Sequence, residues 1–275
     1  MRGETIGVLA IFLAIVLAIL GTSSGTSAAC IGRTLEVFPA SGATLPINGH
    51  IILAVPRHLK RPGGRTPWRT LTLRAETERV ALKAMETLEG ADGDMQMVLV
   101  PAAPLRPGTT YELAIADVPT PAHRRSLEEL LNDSPSGHDS EVVRFAWTTA
   151  RTSDRARPRW RAAPKGRAGV NEQLGCGPEV LVPVSVPIDS EEAVQILAEV
   201  TPLGGGQGPG GANTRRYLIA PQDSEIEIGH AMCGGPFDLA PGVHYSVKLT
   251  AVDVAGNWSP APGRPLEIIG PRPSR

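Results

Sequence analysis

Aromatic residues make up only 4% of this 275-residue chain. That scarcity leaves little material for the stacked rings with which proteins grip bases or sugars. Neither sign of charge dominates, since 27 Lys and Arg stand against 28 Asp and Glu. A near-neutral chain projects no global field toward nucleic acid or acidic polymers. The chain also lacks the H-E-x-x-H and P-loop motifs, and its mature part has no G-x-S-x-G elbow. Its six histidines are scattered, with no legible catalytic set. Past the first twenty residues no run is apolar enough to span a bilayer. What is plentiful is proline (26) and glycine (30), spread between short β-branched runs rather than gathered in one block. That distribution predicts many short strands joined by frequent turns.

A repeat sharpens this. Leu105-Arg106-Pro107-Gly108-Thr109-Thr110-Tyr111 and Leu239-Ala240-Pro241-Gly242-Val243-His244-Tyr245 share Leu-x-Pro-Gly-x-x-Tyr, and a strand-like run follows each copy. The offset of about 134 residues is the size of one domain. Proline fixes its own φ and glycine accepts the positive φ that follows, so each copy makes a tight turn. A tyrosine three residues later can pack its ring on the sheet while its hydroxyl bonds the backbone of the corner. This resembles the tyrosine corner of immunoglobulin-like sandwiches, with Tyr111 and Tyr245 in that role. The expected fold is all-β, with two tandem immunoglobulin-like β-sandwiches after an N-terminal signal peptide.

Residues 1–29 have the layout of a secretory signal: Arg2, an apolar run from Ile6 to Leu20, then small residues ending in Ser27-Ala28-Ala29. An uncleaved membrane anchor is the alternative, although fifteen apolar residues fall short of the ~20 needed to span a bilayer. Cys30 follows at once. The segment resembles the lipobox of bacterial lipoproteins, whose cysteine becomes the lipidated first residue. Ala28 and Ala29 fit it, whereas Ser27 stands where that family usually has Leu. With Ile31 next, resemblance to Gram-negative lipoproteins implies release from the inner membrane. The alternative for Cys30 is a spare thiol.

Removing 29 residues leaves about 246, enough for two domains. The first spans 31–150, and Ala91-Asp92-Gly93-Asp94 marks a hairpin between two of its strands. An insertion at about 119–140 carries Ser126-Leu127-Glu128-Glu129, the signature of a capped short helix. That helix could cover the sandwich end or form a partner-binding loop. Val37-Phe38-Pro39-Ala40-Ser41-Gly42, the Leu105–Tyr111 corner and the closing Phe145-Ala146-Trp147-Thr148-Thr149 resemble bacterial Ig-like domains of surface and S-layer-associated proteins. A basic linker, 151–157, leads to the second module, 158–271. There the run from Tyr245 through Asp253, Gly256 and Asn257 to Ser259 resembles the penultimate strand and hairpin of fibronectin type III-like domains.

Three cysteines in an exported chain suggest one disulfide and one remainder. Cys176 and Cys233 both lie in the second module and are the natural pair. Their bridge would close a loop of about 57 residues and constrain the unfolded chain by roughly 4 kcal/mol. His230 beside Cys233 is too sparse a ligand set for zinc. Asp92 and Asp94 lack the oxygen series of a calcium loop. Gly206 to Gly211 formally fits G-x-G-x-x-G, but a strand follows it rather than a phosphate-holding helix. Neither metal nor cofactor is expected, and no catalytic residue is assigned.

The expected function is therefore that of a non-catalytic, exported cell-envelope protein, a structural spacer or protein-binding module. Its place would be the outer membrane as a lipoprotein, or the periplasm or exterior as a free protein. The alternative is a carbohydrate- or peptidoglycan-binding module that uses Trp68 and Trp258 as an exposed platform. Partners would be an envelope protein or polysaccharide, with a possible lipid tether and no nucleic acid.

Overall fold

A computed structural model describes residues 34–60, 68, 70–119, 140–175, 177–189, 194–204 and 214–274. The proposed signal segment, Cys30, Cys176, the 126–131 helix and the 206–211 glycine loop lie outside the described residues.

Eight strands build the first module: β1 (Glu36–Phe38), β2 (Thr44–Leu45), β3 (Ile51–Val55), β4 (Leu71–Arg74), β5 (Arg79–Glu89), β6 (Met95–Pro101), β7 (Thr110–Pro119) and β8 (Ser140–Thr149). They form one continuous hydrogen-bonded path, β1-β3-β6-β5-β4-β7-β8-β2. The long strand β5 makes this continuity possible. Its first part pairs with β4 and the remainder with β6, and the register slips between Ala84 and Glu86. Such a bulge sharpens the local twist and lets one strand turn from one layer into the other. Met85, at the slip, is exposed. Between the layers lies a core that includes Leu45, Leu53, Leu73, Leu113 and Trp147. The Trp147 indole N–H donates to the Pro39 carbonyl at 2.9 Å, which satisfies the one polar atom of this buried side chain.

The second module contains β9 (Arg159–Trp160), β10 (Lys165–Gly166), β11 (Val170–Leu174), β12 (Gly177–Ser185), β13 (Ile188–Asp189), β14 (Val194–Pro202), β15 (Arg215–Ile219), β16 (Glu225–His230), β17 (His244–Asp253), β18 (Trp258–Pro260) and β19 (Leu266–Ile269). One sheet is centred on β12, with β16 on one side and β10 and β11 on the other. The other runs β15-β14-β17, and β18 and β19 both pair with β17. Between these sheets Val184, Ile196, Ile228, Phe237 and Leu249 form a second core. The edge strands β9, β10, β11 and β13 bury little, so they show no strong apolar alternation in the sequence.

Both Leu-x-Pro-Gly-x-x-Tyr copies adopt one geometry. The Tyr111 hydroxyl accepts the Arg106 N–H at 2.9 Å, and the Tyr245 hydroxyl accepts the Ala240 N–H at 2.8 Å. Gly108 and Gly242 have φ of 64° and 75°, the conformation the turn demands after proline. Tyr111 also donates to the Glu78 carboxylate. Burial, then Glu78, pushes its ionisation above the usual tyrosine range, so the hydroxyl stays protonated and can both donate and accept. Replacing Tyr245 with Phe should strand the Ala240 N–H and destabilise the protein by about 1–3 kcal/mol. Urea denaturation checks this, and a loss below about 0.5 kcal/mol would mean that water replaces the hydroxyl.

Candidate functional site

The sequence did not announce how the modules meet. Strands β3 and β6 are apolar on both faces: Ile51, Leu53 and Leu99 enter the first core, while Ile52 and Val98 face the other way. A strand buried on both sides needs a cover on each. Here the second cover is the other module. Ile52, Leu88 and Val98 pack with Leu197, Leu218 and Val252 in a third apolar cluster, flanked by Phe38, Tyr217 and Trp258.

Polar contacts fix the register of this junction. Gln96 is buried, and its side-chain amide pairs with the Leu218 backbone in both directions. Its Nε2 donates to the carbonyl at 2.8 Å and its Oε1 accepts the N–H at 2.8 Å. Both groups of the amide are thereby satisfied. At one end Arg216 forms ion pairs with Glu86 of the first module and with Glu199 of its own. The β5–β6 hairpin tip also crosses over: Ala91 N–H donates to the Pro236 carbonyl at 2.9 Å, and Asp92 N–H to that of Gly235 at 3.3 Å.

The linker is held as well. Asn48 and Asp154 exchange two hydrogen bonds, at 2.9 and 3.0 Å. The His50 N–H donates to the Val254 carbonyl at 2.7 Å. Its imidazole lies on Gly256, whose φ is 76° and where a Cβ would sit 2.0 Å from the ring. Only glycine meets both demands. Asp253 anchors the same turn, accepting the N–H groups of Ala255 and Asn257 at 2.9 and 2.8 Å.

Burial lowers the pKa of His50, and the nearby Asp253 carboxylate partly opposes that shift. The folded state therefore prefers neutral His50. Its stabilising share is complete above the unfolded value near 6.5 and declines as pH falls toward the depressed folded value. Urea midpoints measured from pH 8 to pH 5 should fall more steeply for the natural protein than for His50→Gln. Parallel profiles would show that His50 does not couple protonation to folding.

Beside the apolar contact the modules diverge around a cleft of about 920 Å³. Phe38, Ile52 and Tyr217 contribute apolar lining. Glu36, Asp94, Asp223, Glu225 and Glu227 line it against the single guanidinium of Arg167 among the described residues. Arg167 is already committed to Glu225, at 2.9 Å.

Of the other residues singled out in the sequence, Asp94 and His230 line the cleft, whereas Asp92, Trp68, Trp258, His244 and Cys233 lie outside its lining. Asp92 and Asp94 serve the hairpin: Asp92 accepts the Asp94 N–H at 3.0 Å, and Asp94 accepts the Arg57 N–H at 2.8 Å. Trp68 packs on the first core, and its indole donates to the Ala116 carbonyl at 2.8 Å. Trp258 packs on the junction cluster. His244 faces Glu267 at 2.6 Å on the exposed surface. Cys233 lies in the turn after β16. Among the described residues no group of three or more His, Cys, Asp or Glu is placed to hold a metal ion.

No protein family matches the chain by its sequence profile. No curated protein matches it either. Among solved structures, it is similar to a chicken contactin-1 fragment, CNTN1 FN1–FN3, at 12% identity, covering 88% of this chain and 65% of that one, with a TM-score of 0.28. A two-domain fibronectin type III segment of chicken tenascin aligns at 11% identity, covering 86% and 96%, with a TM-score of 0.24. A pullulanase from Anoxybacillus sp. LM18-11, complexed with maltotriose, aligns at 9% identity over 83% of this chain and 25% of that chain, with a TM-score of 0.24. The chain thus spans a quarter of the pullulanase and about two thirds of the contactin fragment.

Proposed function

We propose that this chain is an exported, non-catalytic cell-envelope protein whose two immunoglobulin-like modules form a stiff spacer that binds another protein. The observation that carries this reading is the junction. An apolar cluster, a buried glutamine paired to backbone and a tethered linker hold two sandwiches that a flexible linker would leave independent. The Trp68 and Trp258 rings are partly buried against apolar clusters, which leaves less ring face for a sugar to stack on. This favours a spacer or protein binder over the carbohydrate- or peptidoglycan-binding alternative.

Export through residues 1–29 and a lipid on Cys30 belong to the proposal, as does a Cys176–Cys233 disulfide. Cys233 lies in the turn after β16. The backbone beside the proposed partner comes close to it, since a Cβ on Gly177 would lie 3.2 Å from the Met232 carbonyl. The intact mass of the amino-terminal peptide, taken from membrane and soluble fractions, tests the envelope assignment. A diacylglycerol-modified Cys30 in the membrane fraction is the expected result. A terminus that retains residues 1–29 without modification would replace the tether with an anchor. Recovery of the whole chain in the cytoplasm would overturn the reading.

A further inference from the structure

We propose that the cleft between the modules binds an extended, lysine- or arginine-bearing segment of another polypeptide by strand addition, an inference that rests on the protein-binding part of the function above. Three features converge there. The first is open backbone. Among the described strands β1 pairs with β3 alone, so its outer edge is open. On the outer side of β16, Gln222 bonds the Glu225 backbone and Phe237 the Gly229 carbonyl, which leaves Glu227 between them. Residues of both strands line the cleft. An exposed strand edge is a template for an incoming extended chain, whose main-chain groups complete the ladder.

The second feature is shape. The junction cluster ends where Phe38, Ile52 and Tyr217 reach the cleft, giving apolar lining for alternate side chains of the incoming strand. The third is charge. Glu36 on β1, Asp223 in the turn before β16 and Glu227 on β16 are exposed carboxylates, and the one guanidinium of the lining is paired with Glu225. This surplus of negative charge is a local feature, since the whole chain is close to neutral. Such a site selects cations on the outward side chains of its ligand and rejects acidic strands.

The test uses the full chain and fluorescein-labelled decapeptides that alternate Lys with Val or Glu with Val, read by fluorescence anisotropy. The Lys-Val peptide should bind, and the Glu-Val peptide should not. Glu36→Gln with Glu227→Gln should weaken the Lys-Val peptide by about tenfold. Both replacements are nearly isosteric and lie on exposed positions, so circular dichroism should match the parent protein. N-methylation of alternate peptide amides, which removes main-chain donors, should weaken binding by a similar factor. Equal affinity for the methylated peptide would overturn strand addition, and equal affinity of the double variant would move the site away from the cleft. Binding of neutral chitohexaose in place of the peptide would assign the cleft to a glycan and overturn the proposal. A concentration-dependent dimer whose formation excludes the peptide would assign the edges to a second copy, with the same consequence. None of these failures touches the stiffness of the spacer, which is measured independently.

Discussion

Replacing Leu218 with Asp should part the two modules while leaving each folded. Leu218 is 3% exposed, and it belongs to the junction cluster rather than to the core of the second module. A carboxylate there would face Ile52, Leu88 and Val98, with no cation in the cluster to pair it. Burying an unpaired charge costs several kcal/mol, whereas separation of the modules returns it to water. Separation is therefore the cheaper response. Small-angle scattering should show a larger radius of gyration, while far-ultraviolet circular dichroism should keep its β signature. An unchanged radius would mean that Leu218 is not covered by the first module.

Trp147→Ala should produce the largest loss of stability of any single core substitution in the first module. The side chain is 1% exposed, and its N–H is bonded to Pro39. Truncating a buried tryptophan typically costs about 3–5 kcal/mol, from lost transfer energy and the cavity left behind. For a module of this size the melting temperature should drop by on the order of 10 °C or more. Trp147→Phe should recover part of the loss, since it refills much of the space but leaves the Pro39 carbonyl without its donor. Because the junction couples the modules, the unfolding of the second should follow that of the first in one transition. A loss below about 1 kcal/mol, or two well-separated transitions, would contradict that packing.

Much of the fold was legible because its signals are local. Pro107-Gly108 and Pro241-Gly242 dictate their turns through φ alone, and the tyrosine three residues later needs only to reach back five residues. Asp92-Gly93 specified the β5–β6 hairpin in the same way. Short exposed strands such as Lys165–Gly166 were not legible, because nothing alternates in two residues that bury nothing.

The junction was half written in the sequence. Ile51-Ile52-Leu53 and Ile196-Leu197-Ala198 break the apolar-polar alternation of a strand with one wet face, which says that both faces are covered. It does not say by what. Gln96, between Met95 and Met97, looks like an ordinary polar residue on a strand, and only the fold shows its amide spanning to Leu218. The cleft was less legible still. Glu36 and Glu227 are far apart in the chain, and their proximity depends on how the two sandwiches dock.

Residual dipolar couplings of backbone N–H groups, recorded in a weakly aligned sample, test most directly whether the two sandwiches are one body. Couplings from strands β3, β6 and β7 and from β12, β14 and β17 should fit a single alignment tensor of one magnitude and orientation. Two tensors of different magnitude would mean that the modules move independently, and would contradict the stiff junction on which the spacer and its cleft depend.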